Sequence, residues 1–283
     1  MEIKGNCMLK FNKIFKYAGT KEFIIDIVND LIRENCIDYK FYIEPFIGSG
    51  SIFYNLENIR PALINDFDFN IVNMHKSVLT YDYSKYLELN EWILKTFGDI
   101  KSNKEAYYSF RNSWNERYWS SILNKEFGKS GLELLFLASS CINSMLRFGP
   151  NGMNQSFGNR YYVIPETNYN NIKNRLLKCK ITNLSYESIV PKELNSVVMF
   201  LDPPYVDREI SYNHGFDQYK FLEYLKTVSG INSFIMYTDY ENKFSDELLK
   251  FGYEKKILRT MRNISPNRSS EFTGNEVIYF KKF

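Results

Sequence analysis

The chain has 283 residues, of which 44% are hydrophobic and 24% charged, and its formal net charge at pH 7 is +3. This length suffices for one α/β domain with a smaller inserted one, and the composition excludes a disordered or fibrous class. A net charge this small does not by itself indicate a nucleic-acid partner.

Four cysteines lie far apart in the sequence, and there are only two histidines. No pair has the spacing of a zinc site or a redox motif, so we expect free thiols and no metal. No segment reaches the ~20 apolar residues of a membrane span, and no signal peptide is recognisable, which predicts a cytoplasmic protein without membrane contact. The most apolar stretch, residues 131–148, is predicted to be a buried helix.

The first predicted elements alternate between helix and strand. Apolar residues at helical spacing predict a helix over 21–33, and an aromatic, β-branched run predicts a strand over 40–44. A second strand is predicted over 61–66, followed by a helix over 69–78.

The middle of the chain differs, because residues 86–148 show helical periodicity without a strand pattern. Residues 149–165 are rich in Gly, Asn, Gln and Ser, which predicts a long loop or hairpin with a functional role. Strands at 196–202 and 233–238 then enclose a helix at 221–228. The alternation predicts an α/β fold with a doubly wound, mostly parallel sheet.

The strongest functional signal is Asp202-Pro203-Pro204-Tyr205, at the carboxyl end of a strand apolar enough to be buried on both faces. An adenine amino nitrogen is a poor nucleophile, but Asp202 and the Pro203 carbonyl can each accept one of its hydrogens and aim its lone pair at a methyl donor. Tyr205 offers a ring for stacking an extruded base. The pattern therefore indicates methyl transfer to an exocyclic amine, against the simpler reading of a proline turn.

A second signal, Glu44-Pro45-Phe46-Ile47-Gly48-Ser49-Gly50, joins the first strand to a helix expected near Ser51. Its glycines let the backbone approach a nucleoside closely. Phe53 stands where a dinucleotide fingerprint would have a third glycine, which disfavours dinucleotide binding. Asp66 ends the next strand, where it either accepts hydrogen bonds from ribose hydroxyls or caps the following helix.

Two basic segments complete the signals. In Lys16-Tyr17-Ala18-Gly19-Thr20-Lys21, the tyrosine can pack on a cofactor and Lys21 can neutralise its carboxylate, although such a lysine is usually just solvated. Residues 255–270 carry five basic residues and no acidic one, which predicts a local positive face toward DNA phosphates.

These blocks, in this order, resemble the Dam-like family of DNA adenine methyltransferases, in the alpha group of the D12 class. The similarity runs from about Phe15 to the C-terminus and includes residues 141–147, 156–160 and 274–280. It implies a Rossmann-like methyltransferase fold with an inserted, mainly helical target-recognition subdomain.

The resemblance divides the chain into a catalytic domain, residues 1–85 and 166–283, and a target-recognition subdomain, residues 86–165. It implies S-adenosylmethionine as methyl donor and double-stranded DNA as substrate. The expected cofactor-binding residues are Tyr17, Ala18, Gly19, Lys21, Glu44, Pro45, Phe46, Gly48, Gly50, Asp66 and Asp202. The expected catalytic residues are Asp202, Pro203 and Tyr205, and the expected DNA-binding residues are Arg147, Asn151, Arg160, Arg259, Arg262 and Arg268.

Several alternatives stay open at this level. Cytosine-N4 methylation poses the same chemical problem, although such enzymes more often have Ser where Asp202 stands. Thr20 and Ser188 depart from the family pattern, which leaves an inactive cofactor-binding or DNA-binding module as another alternative. GATC recognition is not expected, since Asn151 replaces a basic residue. The enzyme is either the modification part of a restriction–modification system, with a partner endonuclease, or a solitary or phage enzyme.

Overall fold

The computed structural model describes residues 12–15, 21–58, 60–142, 146–158, 162–191, 194–204, 216–229, 233–242, 245–262 and 273–282. The chain forms two compact units. The first comprises Met1–Ile25, Ile47–Ile59 and Asn65–Asn183, and the second comprises Asp26–Phe46, Arg60–Ile64 and Leu184–Phe283.

The regular elements in chain order are α1 (Ile25–Cys36), β1 (Phe41–Glu44), β2 (Ala62–Asn65), α2 (Phe69–Thr80), α3 (Tyr83–Phe97), α4 (Lys104–Leu123), α5 (Lys129–Ser140), β3 (Phe148–Gly149), β4 (Gly152–Met153), α6 (Glu166–Leu176), β5 (Cys179–Thr182), β6 (Val197–Leu201), α7 (Gln218–Ser229), β7 (Ser233–Tyr240), α8 (Glu247–Lys250), β8 (Glu254–Arg262) and β9 (Thr273–Lys282). Short 3-10 helices cover Glu22–Ile24, Phe53–Asn55 and Tyr186–Ser188.

The second unit is built on a sheet whose strands run in the order β2-β1-β6-β7-β9-β8. The first four are parallel, and β9 runs antiparallel to both β7 and β8. Every residue of β6 and β7 is buried, which explains why β6 is apolar throughout and why β7 is apolar or aromatic from Phe234 to Tyr237. Phe221 and Leu225 of α7 belong to the same buried core as Met199 and Ile235 of the sheet. The predicted α/β fold with a mostly parallel sheet is confirmed.

This strand order contains a topological switch point. From β1 the chain passes to β2 on one side, whereas β6 pairs with β1 on the other side, with Ile43 opposite Met199. The carboxyl ends of β1 and β6 therefore lie side by side, with Glu44 ending one strand and Asp202 following the other. Open α/β sheets bind their ligands at this position.

The first unit is mainly helical and is held together by close helix contacts. A Cβ atom at Gly131 of α5 would lie 2.4 Å from the Asn73 carbonyl oxygen of α2, so only glycine fits there. Glu133 of α5 is fully buried and accepts hydrogen bonds from both terminal nitrogens of Arg117, at 3.0 and 2.6 Å, and from the Tyr118 hydroxyl at 2.9 Å. These bonds join α4 to α5.

The helix predicted over 131–148 is wrong in its second half, because α5 ends at Ser140. Beyond that point the backbone pairs with a later segment. The Ile142 amide donates to Ser156 O at 3.0 Å, and the Gly158 amide donates to Ser140 O at 2.8 Å. Main-chain groups of Ser156 and Gly158 thus pair with main-chain groups that a longer helix would have used.

The helix expected near Ser51 is reduced to the 3-10 turn at Phe53–Asn55. Gly50 adopts φ +77°, and Leu56 is already extended. Only a few residues remain before β2 begins, too few for an α-helix.

Disulfide pairing, metal binding and membrane insertion are the three properties that the sequence predicts to be absent. Cys36, Cys141 and Cys179 are free thiols. Within the described ranges, no group of three or more His, Cys, Asp or Glu side chains is arranged to hold a metal ion. None of the helices in those ranges is long and apolar enough to cross a membrane.

Candidate active site

The glycine loop after β1 is a tight turn held by main-chain hydrogen bonds. The Ile47 amide donates to Asn65 O at 2.8 Å, and the Gly50 amide donates back to Ile47 O at 2.8 Å. Gly48 and Gly50 adopt φ +48° and +77°, in the left-handed region that disfavours side chains. Strand–loop geometry thus agrees with the sequence prediction, although no α-helix follows the loop.

Asp66 lies beside this loop, in the first unit. Its Oδ2 accepts from the Gly48 amide at 3.0 Å, and its Oδ1 accepts from the Asp68 amide at 2.9 Å. The N-cap of α2 is Asp68, whose carboxylate accepts from the Asn70 amide at 2.8 Å. The alternative that Asp66 is the helix cap is therefore wrong.

The pKa of the Asp66 carboxyl is raised to about 7, mainly by burial and secondarily by the neighbouring Asp68 carboxylate. Main-chain amides of Asp68, Gly48 and Phe67 act against this rise. An ionisable carboxyl poised near neutral pH beside a glycine loop is typical of a functional site.

Lys21 is the only member of the first basic segment within the described residues. It is 5% exposed, and its amide donates to Ser51 Oγ at 3.3 Å, directly after the glycine loop. The next residue, Glu22, forms an ion pair with Lys13. Tyr17, Ala18 and Gly19 lie outside the described residues.

The Asp202-Pro203-Pro204-Tyr205 segment, predicted to be catalytic, starts directly after β6, in the second unit. Asp202 is partly exposed and Pro203 is buried. Thr238 of β7 is fully buried and donates its hydroxyl to Asp202 Oδ1 at 2.7 Å. This bond fixes the orientation of the carboxylate. Tyr205 lies outside the described residues.

Glu44 and Phe46 occupy the neighbouring strand end. Glu44 is 2% exposed and accepts from the Tyr42 hydroxyl at 2.7 Å. Burial and the Glu44 carboxylate hold the Tyr42 pKa well above its usual value, so the hydroxyl remains a donor. After Pro45, the ring of Phe46 lies 5.5 Å from Tyr186 and 6.0 Å from Phe221, between ring centres. An aromatic wall therefore lines this edge.

The hairpin of β3 and β4 is fastened to α4 in the first unit. Asn115 donates to Met153 O at 3.0 Å and accepts from the Met153 amide at 2.9 Å. Trp119 donates to Pro150 O at 2.9 Å and stacks on Phe148 at 5.9 Å. Arg147 and Asn151 at the hairpin are both exposed, and Arg160 lies outside the described residues.

The basic segment at 255–270 includes ion pairs that the local sequence does not reveal. Lys255 contacts Glu241 at 2.7 Å and Asp246 at 2.9 Å, and Arg259 donates to the buried Glu276 at 2.8 Å. Arg262 is in β8 with its side chain outside the described set, and Arg268 lies outside it altogether.

Three residues that hold the Asp202 carboxylate or the glycine loop in place were not identified from the sequence. Thr238 holds the Asp202 carboxylate, while Tyr54 and His75 form a buried hydrogen-bonded chain to the glycine loop. The predicted buried strand over 233–238 is a signal for Thr238, because a buried hydroxyl needs a hydrogen-bond partner. Nothing local connects the other two to the loop.

Comparison with known proteins adds the following similarities. A family model described as "D12 class N6 adenine-specific DNA methyltransferase" matches residues 17–264. The type II methyltransferase M1.LlaDCHI of Lactococcus lactis subsp. cremoris is 24% identical, with 90% of this chain and 92% of that protein covered. The type II methyltransferase M.MjaIII of Methanocaldococcus jannaschii is also 24% identical, with 88% and 81% covered.

A DNA adenine methylase of Haemophilus influenzae is 23% identical, with 95% of this chain and 93% of that protein covered. Among solved structures, an rRNA methylase from Streptococcus thermophilus aligns with 91% of this chain and 96% of its own at 10% identity. Its TM-score of 0.32 is too low to support any argument.

Proposed function

The chain belongs to the D12 class of N6 adenine-specific DNA methyltransferases, and on that premise we propose how its residues divide the reaction. Asp202, Pro203 and Tyr205 hold the target adenine, and the methyl donor is S-adenosylmethionine. The observation that carries the proposal is the position of Asp202, after a buried strand at the switch point, with its carboxylate fixed by Thr238 at 2.7 Å.

The chemical work of these residues is to expose the lone pair of the adenine amino group. An Asp202 oxygen and the Pro203 carbonyl each accept one N–H, which favours a pyramidal nitrogen. S-adenosylmethionine, when bound, supplies a methyl group on a positively charged sulfur that leaves as a neutral thioether. The new C–N bond makes the nitrogen cationic, and one of its protons passes to water or to Asp202.

The residues around the glycine loop fit such a cofactor. The positive φ angles at Gly48 and Gly50 leave main chain without bulky side chains, suited to close approach by a nucleoside. Asp66 is a partly exposed residue whose carboxylate, when ionised, can accept hydrogen bonds from ribose hydroxyls. We assign cofactor contact to these three residues, to Lys21, Glu44, Pro45, Phe46 and Asp202, and to Tyr17, Ala18 and Gly19.

The test is methylation of DNA in a host that lacks adenine methylation. Modification-sensitive sequencing should find N6-methyladenine at one recurring sequence when the wild-type chain is expressed, and none with Asp202→Ala. The purified variant should still bind cofactor and DNA, while transfer of labelled methyl groups is lost. Wild-type transfer by Asp202→Ala would overturn the catalytic assignment.

Target recognition is assigned to residues 86–165, with the rest of the chain as catalytic domain. The support is the rigid mounting of the hairpin on α4, since precise base contacts require side chains on well-fixed elements. Arg147 and Asn151 project from this hairpin into solvent, and Arg160 follows it in the sequence. We expect Asn151→Ala to change the methylated sequence without changing cofactor affinity. An unchanged sequence preference would exclude Asn151 from base recognition.

Contact with DNA phosphates is assigned to Arg259, Arg262 and Arg268. Arg259 is 47% exposed despite its pairing with Glu276, so its guanidinium retains access to solvent. Each lost phosphate contact should reduce the slope of log affinity against log salt by about 1. A triple Ala variant with an unchanged salt slope would exclude this role.

We further propose that the enzyme is the modification component of a restriction–modification system, which the type II names of two relatives support. Double-stranded DNA methylated by this chain should then resist one restriction endonuclease with the same recognition sequence. If no endonuclease from the source strain cleaves at that sequence, the enzyme acts alone.

A further inference from the structure

A buried chain of hydrogen bonds runs beneath the glycine loop in the first unit. The Tyr54 hydroxyl lies 2.6 Å from His75 Nδ1, and His75 Nε2 lies 2.8 Å from Gly48 O. Both side chains are fully buried, with 0% exposure. A histidine and a tyrosine so placed are costly to bury unless their polar atoms are paired.

The chemistry of the three groups fixes the direction of the bonds. A carbonyl oxygen can only accept, so Nε2 of His75 carries the proton that it donates to Gly48. Nδ1 is then the acceptor for the Tyr54 hydroxyl. The ring is neutral, consistent with burial lowering the pKa of His75 to about 4.

Tyr54 supports the second glycine of the loop as well. A Cβ atom on Gly50 would lie 2.2 Å from Cε2 of the Tyr54 ring, so the ring occupies the space that a side chain at position 50 would need. The Tyr54 amide also donates to Gly50 O at 2.9 Å. One tyrosine therefore packs against Gly50 and, through His75, holds Gly48.

Gly48 is consequently fixed at both of its main-chain polar groups. Its amide donates to Asp66 Oδ2 at 3.0 Å, and its carbonyl accepts from His75. Losing the His75 bond would leave the partly buried Gly48 carbonyl without that donor and release the residue from φ +48°. The orientation of the Asp66 carboxylate would change with it.

From this geometry we infer that Tyr54 and His75 are positioning residues, which hold the glycine loop and Asp66 in the arrangement that binds the methyl donor. The inference rests on the proposed role of the loop as cofactor site. Neither side chain touches the ligand in this scheme. Their effect is to remove alternative loop conformations before binding, which raises affinity without new contacts.

The experiment compares cofactor binding in four variants of the full chain by calorimetry with S-adenosylmethionine and with S-adenosylhomocysteine. His75→Leu removes both hydrogen bonds and should weaken cofactor binding at least tenfold. A tenfold loss corresponds to the net free energy of about one buried hydrogen bond. His75→Gln keeps an N–H donor for Gly48 and should recover part of the loss. Tyr54→Phe keeps the ring but removes the hydroxyl, and should weaken binding severalfold.

The matched control is Tyr86→Phe in α3 of the same unit. Tyr86 is also buried, and its hydroxyl oxygen accepts from the Ile164 amide at 3.1 Å, so the substitution makes the same chemical change away from the loop. It should lower stability without changing cofactor affinity. For the Tyr54 and His75 variants, the loss should appear in KM for S-adenosylmethionine rather than in kcat at saturating cofactor.

Nitrogen NMR of the His75 ring gives a readout independent of activity, and should show the Nε2–H form from pH 8 down to about 5. Wild-type cofactor affinity in folded Tyr54→Phe, or an equal loss in Tyr86→Phe, would overturn the inference even if His75→Leu does not fold. The proposed function fails separately, if the wild-type chain itself binds no cofactor and transfers no methyl group.

Discussion

The titration of Asp66 should make cofactor binding depend on pH near neutrality. Burial, followed by the Asp68 carboxylate, raises the Asp66 pKa to about 7. Only the ionised carboxylate can accept hydrogen bonds from two ribose hydroxyls with both oxygens. If the protonated form does not bind, Kd increases by a factor of about 11 at pH 6 and about 1.1 at pH 8. Affinity should thus fall about tenfold, or ~1.4 kcal/mol, between those pH values.

The stability of the ligand-free protein should change in the opposite direction. Because the pKa of Asp66 in the folded state lies above its ordinary value of 3.8, the folded state holds more protons than the unfolded state between about pH 4 and 7. The free energy of unfolding contributed by Asp66 therefore falls as pH rises through this window and is constant above it. Asp68, whose pKa is also raised by burial, adds a contribution of the same sign.

Calorimetric titration with S-adenosylmethionine at pH 6, 7 and 8 tests the binding prediction. Asp66→Asn should bind weakly at every pH, and any dependence that remains belongs to the ligand. Asp68→Asn is the matched control, since it keeps a capping side chain for α2 but removes the charge that raises the Asp66 pKa. Its midpoint should move to lower pH. Wild-type affinities within twofold between pH 6 and 8, or an equal dependence in Asp66→Asn, would refute the reasoning.

Three further substitutions test contacts within each unit. Gly50→Ala combines a left-handed backbone with a steric clash against a buried ring, and should lower the unfolding free energy by about 2–5 kcal/mol in denaturant melts. A loss below 1 kcal/mol would mean that the loop has room. Thr238→Val removes the donor to Asp202 and should reduce kcat about tenfold; unchanged kcat would show that the carboxylate needs no such support. Arg117→Ala removes the guanidinium that bonds both oxygens of the buried Glu133 carboxylate, which keeps only Tyr118 and Lys129 of its described partners, and should cost about 2–3 kcal/mol of stability, of which a second substitution, Glu133→Gln, recovers part. The double variant being less stable than Arg117→Ala would contradict this account.

The sequence predicts the parallel core well because its signal is local. Strands β6 and β7 are buried on both faces, and residues 197–201 and 234–237 are accordingly all apolar or aromatic. The Asp202 tetrapeptide follows such a strand directly, and the Gly48–Gly50 turn follows another. Chain order alone then places these segments at carboxyl ends of strands.

Other features escape prediction because they depend on partners distant in sequence. His75 lies within α2, and its bonds reach back 21 residues to Tyr54 and 27 to Gly48. The local sequence around Arg259 contains no acidic residue, whereas the fold places Glu276 of β9 opposite it. The end of α5 at Ser140 is set by main-chain pairing with 156–158, which no helix propensity encodes.

The hairpin on α4 is attached almost wholly through its backbone. Asn115 bonds to the amide and carbonyl of Met153, and Trp119 bonds to Pro150 O. Gly152 is the constrained position, with φ +104° and a Cβ site 2.5 Å from the Asn115 oxygen. The side chain of Asn151 makes none of these bonds, so substitutions at this position leave the attachment of the hairpin to α4 intact. Under the proposed recognition role of Asn151, a substitution at this position would change the modified sequence without loosening the hairpin.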